Sequence, residues 1–262
     1  RPQIVLLSLV AFPLFWRRYI TQGRIKTRQG AKEFACLIAP YIVVLAFIMW
    51  YNVARFGSPL NFGSNYNLTT NDMTQRGMNA GRILPALFAY FLQTPSKTGV
   101  FPYIQPVTFD TTFMGQTIAE VTFGGIFACL PILWAVAFTP SAIKMRIKQR
   151  QTHTVAGVVG VLTAVGILVA VADAEMAGIL QRYYADFTFM FLLVAILGIF
   201  IVNENLEKEP TGADVLIKAL PVLVAVSLVY SVLLCLVAET GWYSDAYPWA
   251  YRGIIHMFQF WT

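Results

Sequence analysis

Phe34-Ala-Cys-Leu-Ile-Ala-Pro-Tyr-Ile-Val-Val-Leu-Ala-Phe-Ile-Met-Trp50 carries no charged side chain and runs directly into Tyr51-Asn-Val-Ala-Arg-Phe-Gly-Ser-Pro-Leu-Asn-Phe-Gly63. A run of this kind approaches the roughly 20 apolar residues needed to cross a bilayer core of about 30 Å. Similar runs recur along the chain, which is 57% hydrophobic and only 12% charged. Its mean hydropathy is +0.62. A soluble domain would be about 25% charged. An outer-membrane barrel would show short alternating segments instead of long continuous runs. The fold class is therefore all-α, a polytopic transmembrane helical bundle.

Six spans are predicted, at about 3–16, 34–51, 118–139, 155–173, 185–203 and 217–238. Residues 1–262 are read as one transmembrane domain. The first run is short, the chain begins at Arg1 without Met, and no signal-peptide pattern is present. Residue 1 is expected to lie inside a helix that starts upstream, so that the chain is a fragment.

Charge sets the orientation. Arg17, Arg18, Arg24, Lys26, Arg28 and Lys32 crowd loop 17–33, and Lys144, Arg146, Lys148 and Arg150 crowd loop 140–154. Short basic loops stay in the cytoplasm. The long loop 52–117, sparse in basic residues, and the tail from Glu239 are then outside. Loop 203–216 is acidic yet falls inside by alternation; acidic residues count little in this rule. The net charge of +6 sits in the two basic loops, where membrane orientation and anionic lipid account for it without a nucleic-acid partner. The expected location is the bacterial inner membrane, crossed several times.

The three cysteines, Cys36, Cys129 and Cys235, lie far apart in apolar runs, and His153 and His256 stand alone. They read as packing residues, with no metal site and no cofactor. Gly157 and Gly160 in the fourth span could let helices approach closely or belong to an ordinary packed helix.

The outer loop is rich in turn-setting and aromatic residues, as in Phe56-Gly-Ser-Pro59 and Phe101-Pro-Tyr-Ile-Gln-Pro106, which predicts a packed segment. Within it Leu84, Leu87, Phe88 and Phe91 recur at helical spacing, and Pro85 suits a first turn. This short helix is expected either along the outer interface or packed on other spans. Gln181-Arg-Tyr-Tyr-Ala-Asp-Phe187 opens the fifth span. Arg182 could grip a phosphate by a forked hydrogen bond, or pair with Asp186 four residues on. Asp173 and Glu175 end the fourth span, as acid–base groups or, the reading preferred here, as a solvated helix end. Asn67-Leu-Thr69 matches the glycosylation acceptor pattern and is read as a chance match. Trp242, Tyr243, Tyr247, Trp249, Tyr251 and Trp261 in the tail read as an interfacial aromatic belt.

The combination of Tyr51-Asn52, Ala54-Arg-Phe-Gly-Ser-Pro59, Phe62-Gly63 and Tyr66-Asn-Leu-Thr69 with Phe101-Pro-Tyr103, Arg182-Tyr183 and Asp186-Phe187 resembles the bacterial GT-C class membrane glycosyltransferases related to the protein O-mannosyltransferases. The resemblance covers scattered positions from about 50 to 205 and looks like the carboxy-terminal part of such an enzyme. It implies inverting transfer of a sugar from a polyprenyl-phosphate donor to an acceptor at the outer face. The acidic residue expected to act as base belongs to a first outer loop that this chain does not contain, so no catalytic residue is assigned. The implied partners are membrane lipid and the polyprenyl-phosphate-linked sugar. The implied substrate-binding residues are Arg55 and Arg182 for the phosphate or for anchoring loops, Asn61 and Tyr66 near the acceptor groove, and Tyr183 and Asp186 beside Arg182. The alternative is a transporter or lipid flippase, for which Pro13, Pro40, Pro131 and Pro221 could break helices. The scarcity of charges inside the spans argues against ion coupling.

Overall fold

The structure is a computed structural model that describes residues 2–63, 77–107, 118–148, 153–176, 178–205, 213–237 and 242–259. It is a helical bundle. Four helices are long and apolar enough to cross a membrane: Arg28–Phe56, Thr154–Met176, Gln181–Glu204 and Val215–Cys235. They coincide with the predicted spans 34–51, 155–173, 185–203 and 217–238. The chain is an integral membrane protein. It forms two compact units, Ser8–Met78 and Arg1–Leu7 with Asn79–Thr262, where the sequence reading treats residues 1–262 as one domain.

In the Ser8–Met78 unit, helix α1 (Arg28–Phe56) starts at Thr27, whose Oγ1 accepts a hydrogen bond from the Gly30 amide at 3.1 Å. This satisfies one of the amides that a helix start leaves open. Arg24 clamps Glu33 through two hydrogen bonds of 3.0 and 2.8 Å. The helix ends at Gly57, whose φ of 74° is the left-handed conformation that glycine adopts without strain. Only Gly30 and Asn52 on α1 are buried. A helix that is apolar all round and has no buried face suits lipid. Ahead of α1 the predicted span 3–16 is helical but changes its winding, from 3₁₀ over Pro2–Ala11 to α over Phe12–Phe15 and π over Trp16–Thr21.

In the larger unit, helix α2 (Ala80–Leu92) leads to a hairpin of β1 (Ser96–Lys97) and β2 (Ile104–Gln105). The predicted span 118–139 is not one helix. It opens as strand β3 (Ile118–Ala119), turns at Gly124, winds briefly as α3 (Ile126–Cys129) and breaks at Leu130. It resumes as a 3₁₀ segment from Pro131 to Phe138 and then as α4 (Thr139–Lys148). The physical reason lies in two glycines and a proline. Gly124 has a φ of 121°, and a Cβ on Gly125 would lie 2.5 Å from the Phe91 carbonyl carbon. Pro131 lacks the amide that would continue the α3 ladder.

Helices α5 (His153–Met176) and α6 (Tyr184–Asn205) form an antiparallel hairpin, with β4 (Gly178–Ile179) in the turn pairing parallel to β3. Helix α6 is central and packs against α5, the Pro131–Phe138 segment and α4. Its buried residues Phe187, Met190, Phe191, Val194, Ala195, Ile201 and Val202 form one stripe at helical spacing. Glycine permits two close approaches: a Cβ on Gly198 would collide with the Thr139 hydroxyl, and one on Gly166 would lie 2.8 Å from the Phe191 ring. Of the two glycines the sequence reading singled out, Gly160 has open space where a Cβ would stand, so it makes no close helix approach. Helix α7 (Ala213–Cys235) returns along this bundle, and α8 (Trp242–Ala246) and α9 (Pro248–Phe258) close the described chain.

The α2 helix packs on other helices of its unit, one of the two expectations for it. Ala86, Ala89, Tyr90 and Phe91 are buried against the bundle, while Leu84, Phe88 and Leu92 form an exposed apolar stripe. Ala86 and Ala89 on the inner face bring the helix close, and the Tyr90 and Phe91 rings fill the space beside them.

Candidate functional site

Polar side chains gather where the α5–α6 hairpin turns. Arg82, in the first turn of α2, is buried and reaches Glu175 in the last turn of α5 at 3.3 Å. The same Glu175 oxygen, Oε2, accepts the Asn79 amide at 3.0 Å, while Oε1 is buried without a hydrogen-bond partner. A carboxylate at a helix C-terminus faces the negative end of the helix dipole. Arg82 and the Asn79 amide supply the compensating positive charge and donor.

Asp173 lies two residues before Glu175 and is only 1% exposed. The expected solvated helix end is thus corrected: α2 folds over the end of α5 and excludes water from both carboxylates. Asp186 is buried in the first turn of α6, where a negative charge is favoured by the helix dipole. Tyr90 of α2 donates to the Gly178 carbonyl at 2.6 Å and meets the Tyr184 ring edge-on at 5.3 Å. Tyr184 in turn donates to the Ala89 carbonyl at 3.3 Å. Burial, reinforced by the neighbouring Asp173 charge, pushes the Tyr90 phenol well above its ordinary pKa, so it remains a donor. Two tyrosines therefore tie α2 to the hairpin turn, one in each direction.

Arg182 lies outside this buried group. It sits in the 3₁₀ turn Gln181–Tyr183 before α6 begins, so it is off the helical register that would face it toward Asp186. It pairs with Glu120 at 3.1 Å in the open and lies over the Tyr183 ring at 5.6 Å. Gln181 accepts from the Phe123 amide at 3.3 Å, and the Glu120 amide donates to the Ile179 carbonyl at 3.0 Å. The segment around β3 is thus held across the turn, which places an exposed guanidinium beside a buried carboxylate cluster. Compared with family models, with curated proteins and with solved structures, the chain gives no significant match. Among the described residues no group of three His, Cys, Asp or Glu is placed to hold a metal ion.

The other expected residues belong to the Ser8–Met78 unit. Arg55 donates to the Tyr51 hydroxyl at 2.6 Å and lies over the Phe56 ring at 5.2 Å, so it is held against the end of α1. Asn61 accepts from the Gly63 amide at 2.9 Å, a local turn in which the side chain shapes the backbone. The buried Asn52 donates to the Pro59 carbonyl at 3.0 Å and closes the Phe56–Pro59 bend. Tyr66, with Asn67 and Thr69, lies outside the described residues. Sequence reasoning passed over Arg82. The signal was present: a lone arginine ahead of Pro85 in an otherwise apolar short helix must find a partner if that helix is buried.

Proposed function

We propose that this chain is part of a GT-C type membrane glycosyltransferase of the bacterial inner membrane. It would move a sugar from a polyprenyl-phosphate donor to an acceptor at the outer face. The observation that carries the reading is the join of two surfaces: apolar spans end at a turn where Arg82, Asp173, Glu175 and Asp186 are buried and Arg182 stands exposed. A lipid-linked sugar phosphate has this same division, an apolar tail followed by an anionic, hydroxyl-rich head. Ionisable groups are costly at a membrane boundary and mark substrate paths.

In this reading Arg182 takes the donor phosphate, exchanging Glu120 for it, and Tyr183 and Asp186 border the sugar. Arg55 anchors its own loop, and Asn61 and Tyr66 serve the acceptor. Polyprenyl-phosphate-linked hexose should bind the protein in nanodiscs, and Arg182→Ala should weaken that binding by about tenfold or more, the loss of one charge-assisted hydrogen bond. An Arg182→Ala protein that keeps its yield and its donor affinity removes the assignment.

A transporter reading has one observation behind it, the break at Leu130 in an apolar segment. Broken helices often line transport sites. Movement of labelled lipid or sugar across a vesicle membrane, with no transfer to an acceptor, would select it.

A further inference from the structure

Helix α9 follows the last span closely and lies at the same end of the bundle as the polar cluster. Ile104 of the hairpin packs with Phe123 and Val237, just beyond α7, and Tyr230 of α7 donates to the Phe123 carbonyl at 2.5 Å. The hairpin tip then docks on α9: Phe101 stacks on Phe258 at 5.0 Å and 10°, and the Tyr103 hydroxyl donates to the Phe258 carbonyl at 3.0 Å. Since the hairpin begins four residues after α2 ends, α2 and α9 form one connected frame around this end of the spans.

Both helices turn large apolar side chains outward. Leu84, Phe88 and Leu92 do so on α2, with Leu84 77% exposed. On α9 Trp249 is 81% and Met257 75% exposed, while Tyr251 on the opposite side is buried. Between them Arg252 lies over the Trp249 ring at 5.4 Å. An aromatic anchor with a cation on its face suits the level of lipid headgroups, where Trp rings are enriched and Arg meets phosphate. The occupant follows from the spans themselves: a helix attached to the end of a membrane-crossing helix meets the bilayer surface before any soluble partner.

We infer that α2 and α9 form a collar lying in one leaflet. Trp249, Met257 and the α2 stripe are sunk about 5–10 Å into the headgroup–acyl boundary, and Arg252 is held at the lipid phosphates. The collar fixes the depth of the Arg82–Glu175 cluster relative to lipid. It does not depend on the glycosyltransferase reading, because no donor or acceptor is needed to observe it.

Nitroxide labels at single cysteines placed at positions 245, 249 and 257, with Cys36, Cys129 and Cys235 replaced, test this in vesicles of phosphatidylglycerol and phosphatidylethanolamine. Labels at 249 and 257 should collide preferentially with oxygen, and a label at 245 with a water-soluble nickel chelate. Adding Arg252→Glu should move the 249 label toward water. Equal nickel access at all three positions overturns the collar in favour of a solvent-facing helix. Access to neither reagent overturns it in favour of a protein partner or a second copy. An unmoved 249 label removes the phosphate contact. A second measurement leaves the native cysteines in place: brominated lipids should quench a share of wild-type tryptophan emission that is missing in Trp249→Phe, and identical quenching in the two proteins overturns the proposal.

Discussion

Arg82 and Glu175 stand 93 residues apart in the chain and meet at 3.3 Å, with side chains 2% and 7% exposed. Removing one partner of such a pair leaves the other charge buried and uncompensated, at a cost of about 3–5 kcal/mol. Arg82→Met should therefore lower the thermal unfolding midpoint in detergent sharply. The double variant Arg82→Met, Glu175→Met should recover much of the loss. Additive losses in the double-mutant cycle would show that the pair is not coupled.

The exposed Arg182–Glu120 pair should behave differently. Exposed pairs contribute about 0–1 kcal/mol, so Glu120→Gln should leave the unfolding midpoint nearly unchanged. If Arg182 receives a phosphate, freeing it from Glu120 should tighten donor binding, the opposite sign to Arg182→Ala. Titration of a polyprenyl-phosphate-linked hexose into both variants reads the two signs directly. Weaker binding by Glu120→Gln would give the carboxylate, instead, a direct part in holding the donor.

Two glycines make a matched comparison. Gly125 meets the Phe91 backbone so closely that Gly125→Ala must push α2 away from the bend before α3. Overpacking of this kind costs about 1–3 kcal/mol. Gly160 in α5 has open space around it, so Gly160→Ala should be neutral or stabilise by up to about 1 kcal/mol through helix propensity. Unfolding midpoints of the two variants check the order.

Tyr90 supplies a pH test. Its folded pKa is raised by burial, so its contribution is fully present below the unfolded value of about 10 and is lost as pH rises above that. Between pH 10 and 11 the wild type should lose about 1 kcal/mol more than Tyr90→Phe, which has no phenol to ionise. Parallel pH dependences of the two unfolding midpoints would contradict the burial. Below pH 9 the variant should be less stable by about 1–3 kcal/mol, since the Gly178 carbonyl loses its donor.

The four long helices were readable because bilayer crossing depends on summed hydrophobicity over a local window, and each span carries its own sum. The 118–139 run shows where that sum misleads. It is apolar enough to span, but Gly124, Gly125 and Pro131 break it, and the break is needed because the α2 backbone passes against Gly125. Composition cannot see that neighbour. The α2 helix was also legible as a helix, yet its leucine and phenylalanine periodicity did not separate its faces: Leu84 and Phe88 are exposed and Phe91 is buried. The buried face is built from Ala86, Ala89, Tyr90 and Phe91; the small size of the two alanines matters only once a partner surface exists.

The site divides in the same way. Arg182, Tyr183 and Asp186 were visible as polar residues at a span boundary, and the buried state of Asp186 was not. Arg182 and Asp186 are spaced for a helical pair, but the helix begins only at Tyr184, so local register turns Arg182 away from Asp186 and the β3–β4 pairing brings Glu120 to it. The sequence by itself determined that this is a membrane-crossing helical protein, because transfer from water to lipid is a property of each segment. Only the tertiary structure decided that Glu175 is buried against Arg82 and not solvated, because that depends on a distant loop folding back over the helix end, and no local pattern encodes which loop will do so.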